Sequence, residues 1–167
     1  AEFRDALLRQ SAALTAGVAI LAVLGWKVWD AEALIGRGDE VLLELAPVDP
    51  RSLMQGDYMR LAWALEREPI HLEGPSGAVV LGLDERRVGR FHRLAGWGVP
   101  ATDERVFRVR RSPTDAGVVV EPHSFLFEEG RADVYAAARY GVFRVDRDGR
   151  HLLVGLADAE ARRIEPR

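Results

Sequence analysis

From Gln10 to Trp26 the chain carries no charged side chain, and the run Ser11–Trp29, SAALTAGVAILAVLGWKVW, holds one charge, Lys27. An apolar stretch of this kind must lie in a bilayer, in a protein interior or in a secretory signal. At about 17 residues it stands at the lower limit for a membrane span. Lys27 lies near one end, where its ammonium snorkels, and Trp26 and Trp29 suit an interfacial belt. Arg4 and Arg9 precede the run, and Asp30 and Glu32 follow it. The positive-inside bias then puts the N-terminus in the cytoplasm and the rest of the chain outside it. The reading is a single-pass N-terminal transmembrane anchor over residues 1–35 and an extracytoplasmic domain over 36–167. The alternatives are a signal peptide, for which Ala31–Ala33 resembles a small-x-small cleavage site, and a buried helix. Ala12, Ala13, Ala16, Gly17, Ala19 and Ala22 form a small-residue face suited to packing on another membrane helix.

Beyond the anchor the pattern becomes β-like. Residues 30–39, with Gly36 and Gly38, read as the helix end and a linker. Glu40–Val48 and Tyr58–Glu66 read as strands, the second with Met59, Leu61, Trp63 and Leu65 on one face. Ala78–Leu83 and Val88–Leu94 form a hairpin through Asp84–Arg87, and Arg105–Arg111 and Ala116–Pro122 another. Arg131–Gly141 is alanine-rich, with Gly141 placed to end a short helix. Gly141–Leu156 reads as a hairpin in which Asp148 and Gly149 supply positive φ. The fold class is mainly β, with antiparallel hairpins that suit a barrel-like arrangement, one short late helix and the membrane helix ahead of it. With 48% apolar residues there is material for a core, and the absence of cysteine excludes disulfides and thiolate chemistry. A formal charge of −3 argues against a nucleic-acid partner.

The stretch VDPRSLMQGDYMRLAW, residues 48–63, joins the first two strands through a charged elbow. Pro50 fixes φ and biases Asp49 toward an extended conformation. Asp49 and Asp57 can accept turn amides, Gly56 permits positive φ, and Arg51 is the charge partner for either aspartate. A turn accounts for every one of these residues.

The same residues resemble the GDYXXLXY family. Gly56, Asp57, Tyr58 and Leu61 match its signature, and Trp63 stands where the final tyrosine falls. The lead-in PVDPRSLMQ and the block FLFEEGRADVYAAARYGVFRVDRDGRHLLVGL are similar as well, so the likeness covers most of residues 40–157. The resemblance implies a bacterial inner-membrane protein with one N-terminal helix and a periplasmic domain, often encoded beside polytopic membrane proteins. It implies no reaction. SLMQGDYMRL is also weakly similar to the Gly-Asp elbow of type I signal peptidases. The nucleophile position of those enzymes is Val48 here, and the only lysine lies in the membrane segment, so the catalytic dyad is missing.

Other chemistry is sparse. His71, His92, His123 and His151 form no close pair, which points to no metal and no cofactor. Glu128 and Glu129 precede the late helix and suit its N-terminus. Arg86, Arg87 and Arg90 lie near a second basic strand carrying Arg108 and Arg110. If the two strands pair, they make an arginine-rich interaction face for anionic lipid or an acidic partner. The expected function is a non-enzymatic, membrane-anchored accessory or assembly subunit, bound to an integral membrane protein and to the lipid bilayer. The alternatives are a carboxylate-dependent hydrolase using Asp49, Asp57 and Glu129, and an extracytoplasmic small-molecule or lipid-binding module with an apolar cavity.

Overall fold

Val41 and Leu43 enter one hydrophobic cluster and Leu42 another, so β1 (Asp39–Glu44) is covered on both faces. A strand of that kind belongs in the middle of a sheet. In the computed structural model it pairs antiparallel with β9 (Tyr140–Val145) and parallel with β5 (Val88–Leu94). The structure describes residues 2–46, 54–55, 58–96, 98–114 and 117–165, with side chains from Leu14 onward except at 54–55. The elbow residues Asp49, Pro50, Arg51, Gly56 and Asp57 lie outside it.

The sheet has seven strands. β10 (His151–Ala157) flanks β9 at one edge, and β4 (Ser76–Leu83), β6 (Glu104–Arg111) and β7 (Val118–Val119) follow β5, giving the order β10-β9-β1-β5-β4-β6-β7. The three expected hairpins are present as β4–β5, β6–β7 and β9–β10. A second sheet, β2 (Met54–Gln55), β3 (Tyr58–Arg60) and β8 (Ser124–Leu126), lies with a 3₁₀ turn (Ala64–Arg67) and a short α2 (Ala132–Tyr135) in a second layer. Between the layers Val41, Val79, Leu81, Phe107 and Phe143 pack with Met59, Leu61, Trp63 and Tyr135. Tyr135 meets Phe125 and Phe127 at ring-centroid distances of 5.2 Å, which fixes α2 on this layer.

Four expectations change. The large sheet stays open and forms no closed barrel. Its ends nevertheless approach, since the Arg108 N–H donates to the Gly149 carbonyl at 2.9 Å. The strand from Tyr58 stops at Arg60, because the Glu66 carboxylate folds back on the Trp63 N–H and opens a 3₁₀ turn. Gly141 does not end a helix. It lies inside β9, opposite Leu43 and Leu156, where it leaves room for the Trp63 ring. Finally, no linker separates the N-terminal helix from the domain. α1 (Glu2–Arg37) runs straight into Gly38, and the Gly38 N–H donates to the Leu34 carbonyl.

From Leu14 onward, α1 touches the domain only near its C-terminal end. Every residue from Leu14 to Trp29 is exposed, including Leu14 at 72%, Val18 at 66%, Leu21 at 69% and Trp26 at 62%. At 100° per residue, Val18, Trp26, Val23, Leu24 and Leu21 fall at about 0°, 80°, 140°, 240° and 300° around the axis, so no polar stripe faces water. Among the described residues no helix is long and apolar enough to cross a membrane. Downstream, Arg150 bonds Asp30 at 2.7 Å and Asp146 at 2.6 Å, clamping α1 onto the β9–β10 turn.

One turn design recurs three times. Asp84, Asp146 and Asp158 each accept the amides two and four residues on, and each precedes a residue at positive φ three positions later. This is a type I turn closed by a left-handed residue. Only Gly149 has positive φ in the Asp146 turn, contrary to the expectation for Asp148. The other two turns put Arg87 and Ala161 there, both at φ 63°. Arg87→Gly and Ala161→Gly are each expected to stabilise the fold by about 0.5–1 kcal/mol in urea titrations, as relief of the left-handed conformation exceeds the added chain entropy. Gly149→Ala should do the opposite, because its β-carbon would stand 2.8 Å from Val106 Cγ1.

Candidate functional site

The signature strand ends in the core. Tyr58 is half-buried in β3, Leu61 is buried, and Trp63 is fully enclosed. The indole lies over Gly141, tilts against Phe143 at 5.1 Å, and donates Nε1–H to the Pro122 carbonyl at 3.1 Å. Leu61 N–H donates to the His123 carbonyl. Glu66, at the end of the same segment, accepts the Val120 N–H at 2.9 Å and meets His123 Nε2 at 3.0 Å. The signature strand and its 3₁₀ turn thus hold residues 120–123 from beneath.

Glu121, within this segment, and Val119 just before it line one side of a cleft of about 680 Å³. Arg108, Arg110 and Glu121 line it with Ser76, Asp148 and His151. Arg110 pairs with Glu121 at 2.8 Å, and Arg108 Nε donates to the Asp148 carbonyl at 2.9 Å. Ser76 and Ala78 stand opposite Arg110 and Arg108 in the register. Their small side chains leave the floor between the two guanidiniums open.

His151 sits at the edge of the cleft, stacked on Phe107 at 3.9 Å and 11°, with Nδ1 3.2 Å from the Gly149 carbonyl. Burial pushes its pKa down, opposed by the Gly149 and Glu121 carbonyls and by the charges of Glu121 and Asp146. The folded chain therefore binds fewer protons here than the unfolded chain, and stability falls as pH drops through the ordinary value of 6.5. Urea midpoints are expected to fall between pH 7.5 and about 5.5, and His151→Phe should flatten that slope. The lowered carboxylates Glu104 and Asp158 act in a separate window. Their contribution is present above the ordinary values of 4.5 and 3.8, and is lost as pH falls through the lower folded pKa values.

The arginines expected to act together are divided. β4 lies between β5 and β6, so the two basic strands do not pair and the expected face is not built that way. Arg86 and Arg87 occupy the β4–β5 turn, and Arg90 stands opposite Gly82 on β4. Only Arg108 and Arg110 reach the cleft. Glu129 is exposed after β8. Among the described residues no group of three or more His, Asp or Glu could hold a metal ion.

Sequence reasoning missed three polar groups. Glu66 and His151 meet partners more than fifty residues away or on another strand, and no local pattern marks them. Glu104 is the one buried charged side chain among the described residues. It accepts from Ala101 N–H at 3.1 Å and Arg93 at 2.9 Å, and its other oxygen is 2.8 Å from His92 Nδ1. Those contacts, the Ala101 amide foremost, outweigh burial and hold its carboxyl below the usual range.

A long N-terminal helix carrying a two-layer, mainly β domain, with a signature strand at its core, defines the class of protein. The GDYXXLXY protein family matches residues 20–156, and the chain belongs to that family. Neither curated proteins nor solved structures match it.

Proposed function

We propose that this chain is a membrane-anchored, extracytoplasmic accessory subunit that binds an integral membrane protein through α1. The observation that carries the reading is the stretch Leu14–Trp29, exposed and apolar on every side of a helix that meets its own domain only downstream. A helix apolar all round is covered by lipid or by other helices. The uncharged run begins at Gln10, ahead of the described side chains, and totals about 17 residues, short for a lone span. Short spans are relieved by association with other helices, which favours a subunit over a free anchor. Asp30 and Glu32 after the run, against Arg4 and Arg9 before it, support an extracytoplasmic domain.

Extracted from native membranes in mild detergent, the full-length chain is expected to elute as a stoichiometric complex with a polytopic membrane protein. Elution alone and monodisperse overturns the reading. The cleft beside His151 favours a second reading, a binding module for a small anionic ligand. Its volume suits such a ligand, and two guanidiniums line it. Calorimetric titration with small carboxylates and inorganic phosphate distinguishes this reading, since an accessory subunit has no need to bind them.

A further inference from the structure

α1 reaches the domain with no slack. The exposed apolar stretch ends at Trp29, and the next residue, Asp30, is already bonded to Arg150. At 1.5 Å per residue, the domain surface around Asp30 stands within about one helical turn, roughly 5 Å, of the level of Trp29. The surface around that point is therefore the part of the domain nearest the apolar stretch of α1.

Two adjoining clefts describe that surface. Trp29, Asp30, Arg37, Asp39, Asp146 and Arg147 line one. The other shares Asp39, Asp146 and Arg147 and adds Arg105 with Gly98, Val99 and Pro100. These last three, with residues 101–103, lead into β6, which is separated from β5 in the sheet by β4. Val99 is 93% exposed, the most exposed large apolar side chain among the described residues. Residues 101–104 at the end of this segment are held in place. Glu104 gathers Ala101 N–H, Arg93 and His92 beneath it, and the Asp103 carbonyl accepts Leu83 N–H at 2.8 Å. The aspartates that line the two clefts are matched internally: Arg105 pairs with Asp39 at 2.7 Å, and Arg150 pairs with both Asp30 and Asp146. Glu32 on α1 has no ion pair among the described residues. Arg37 and Arg147 are exposed and have no ion pair among the described residues. The rim therefore presents an exposed apolar tip and two unmatched guanidiniums beside the point where α1 meets the domain, Arg147 next to Asp146 and Arg37 about 12 Å further along the helix than Trp29.

Resting on the reading of α1 as a membrane anchor, we propose that this rim is a second membrane contact. The Val99–Pro100 tip enters the headgroup–acyl boundary of the bilayer, and Arg37 and Arg147 meet the phosphates of anionic lipids. The burial of small apolar tips beside basic residues follows the physics of interfacial anchors. The contact fixes the rotation of the domain about α1, which a lone helix leaves free.

The chain has no cysteine, so single labels are clean. Val99→Cys, Leu21→Cys and Ala137→Cys are made in the full-length chain, labelled with an environment-sensitive fluorophore and reconstituted in phosphatidylglycerol–phosphatidylcholine vesicles. Ala137 is exposed near the far end of β9. Lipids carrying a quencher in the acyl chain are expected to cause loss of emission at 21 and at 99, with emission at 137 retained. Loss at 21 with none at 99 overturns the rim contact and leaves the anchor standing. No loss at either site overturns the anchor and the rim contact together. Equal loss at all three overturns the proposed geometry. Val99 packs on nothing, so its replacement does not endanger folding, and a urea midpoint equal to that of the unsubstituted chain verifies this.

Discussion

Trp63→Ala is expected to cost about 4 kcal/mol of stability, a large share of the roughly 5–15 kcal/mol that holds a domain folded. The indole is fully enclosed, and its removal opens a cavity over Gly141 and against Phe143. It also leaves the Pro122 carbonyl without its donor. Gly141 supplies the complementary test. A β-carbon there would stand 2.5 Å from Trp63 Cη2, so Gly141→Ala alone should destabilise by about 1–3 kcal/mol through overpacking. In the Trp63→Ala background the added methyl enters the vacated space, and Gly141→Ala should be neutral or stabilising. Urea denaturation of the four chains closes the cycle. Additive effects would show that the two residues do not share the space. Trp63→Tyr, which restores the family's own aromatic, should recover more than half of the loss, because the ring keeps its contacts with Gly141 and Phe143. The signature aromatic is then a core residue whose polar atom holds residues 120–123, and a surface role for it is excluded by its enclosure.

Local chemistry is what the sequence makes legible. The hairpins at Asp84–Arg87 and Asp146–Gly149 follow from aspartate and a left-handed position within four residues, and both stand where the pattern puts them. The family signature was legible for the same reason, as a run of adjacent residues. Pairing between distant strands was not. The parallel pair β1–β5 and the insertion of β4 between the two basic strands depend on which faces are covered, and residues 88–111 carry no mark of that. Gly141 shows the ambiguity in one residue. Glycine after an alanine-rich run reads as a helix terminus, whereas here it answers a tryptophan seventy-eight positions earlier in the chain. The cleft was half legible: Arg108 and Arg110 were singled out as a basic strand, but Glu121 and His151 reach them only through the fold. α1 is the reverse case. Its apolar run was evident in the sequence, and the fold adds that nothing within the domain covers it.

That last point carries the largest expected effect on behaviour. The double substitution Leu21→Arg with Leu24→Arg is expected to move the chain from the membrane pellet to the soluble fraction in alkaline extraction. Each arginine near the centre of a span costs about 3 kcal/mol relative to leucine, so the pair lowers partitioning by roughly 10⁴-fold. Leu21 and Leu24 lie three residues apart on one side of α1, exposed at 69% and 54%, so snorkelling in opposite directions around the helix is denied to them. The urea midpoint of the β domain should be unchanged, because from Leu14 onward α1 meets that domain only through Trp29 and the residues beyond it. The two readouts separate the causes. Loss of membrane association with an intact domain places the role of these side chains outside the fold. Retention in the pellet would sink the anchor, since a core packing role would have lowered the midpoint instead. Nothing in the packing of the domain requires leucine at 21 or 24, so their apolar character answers to a surface that the domain itself does not supply.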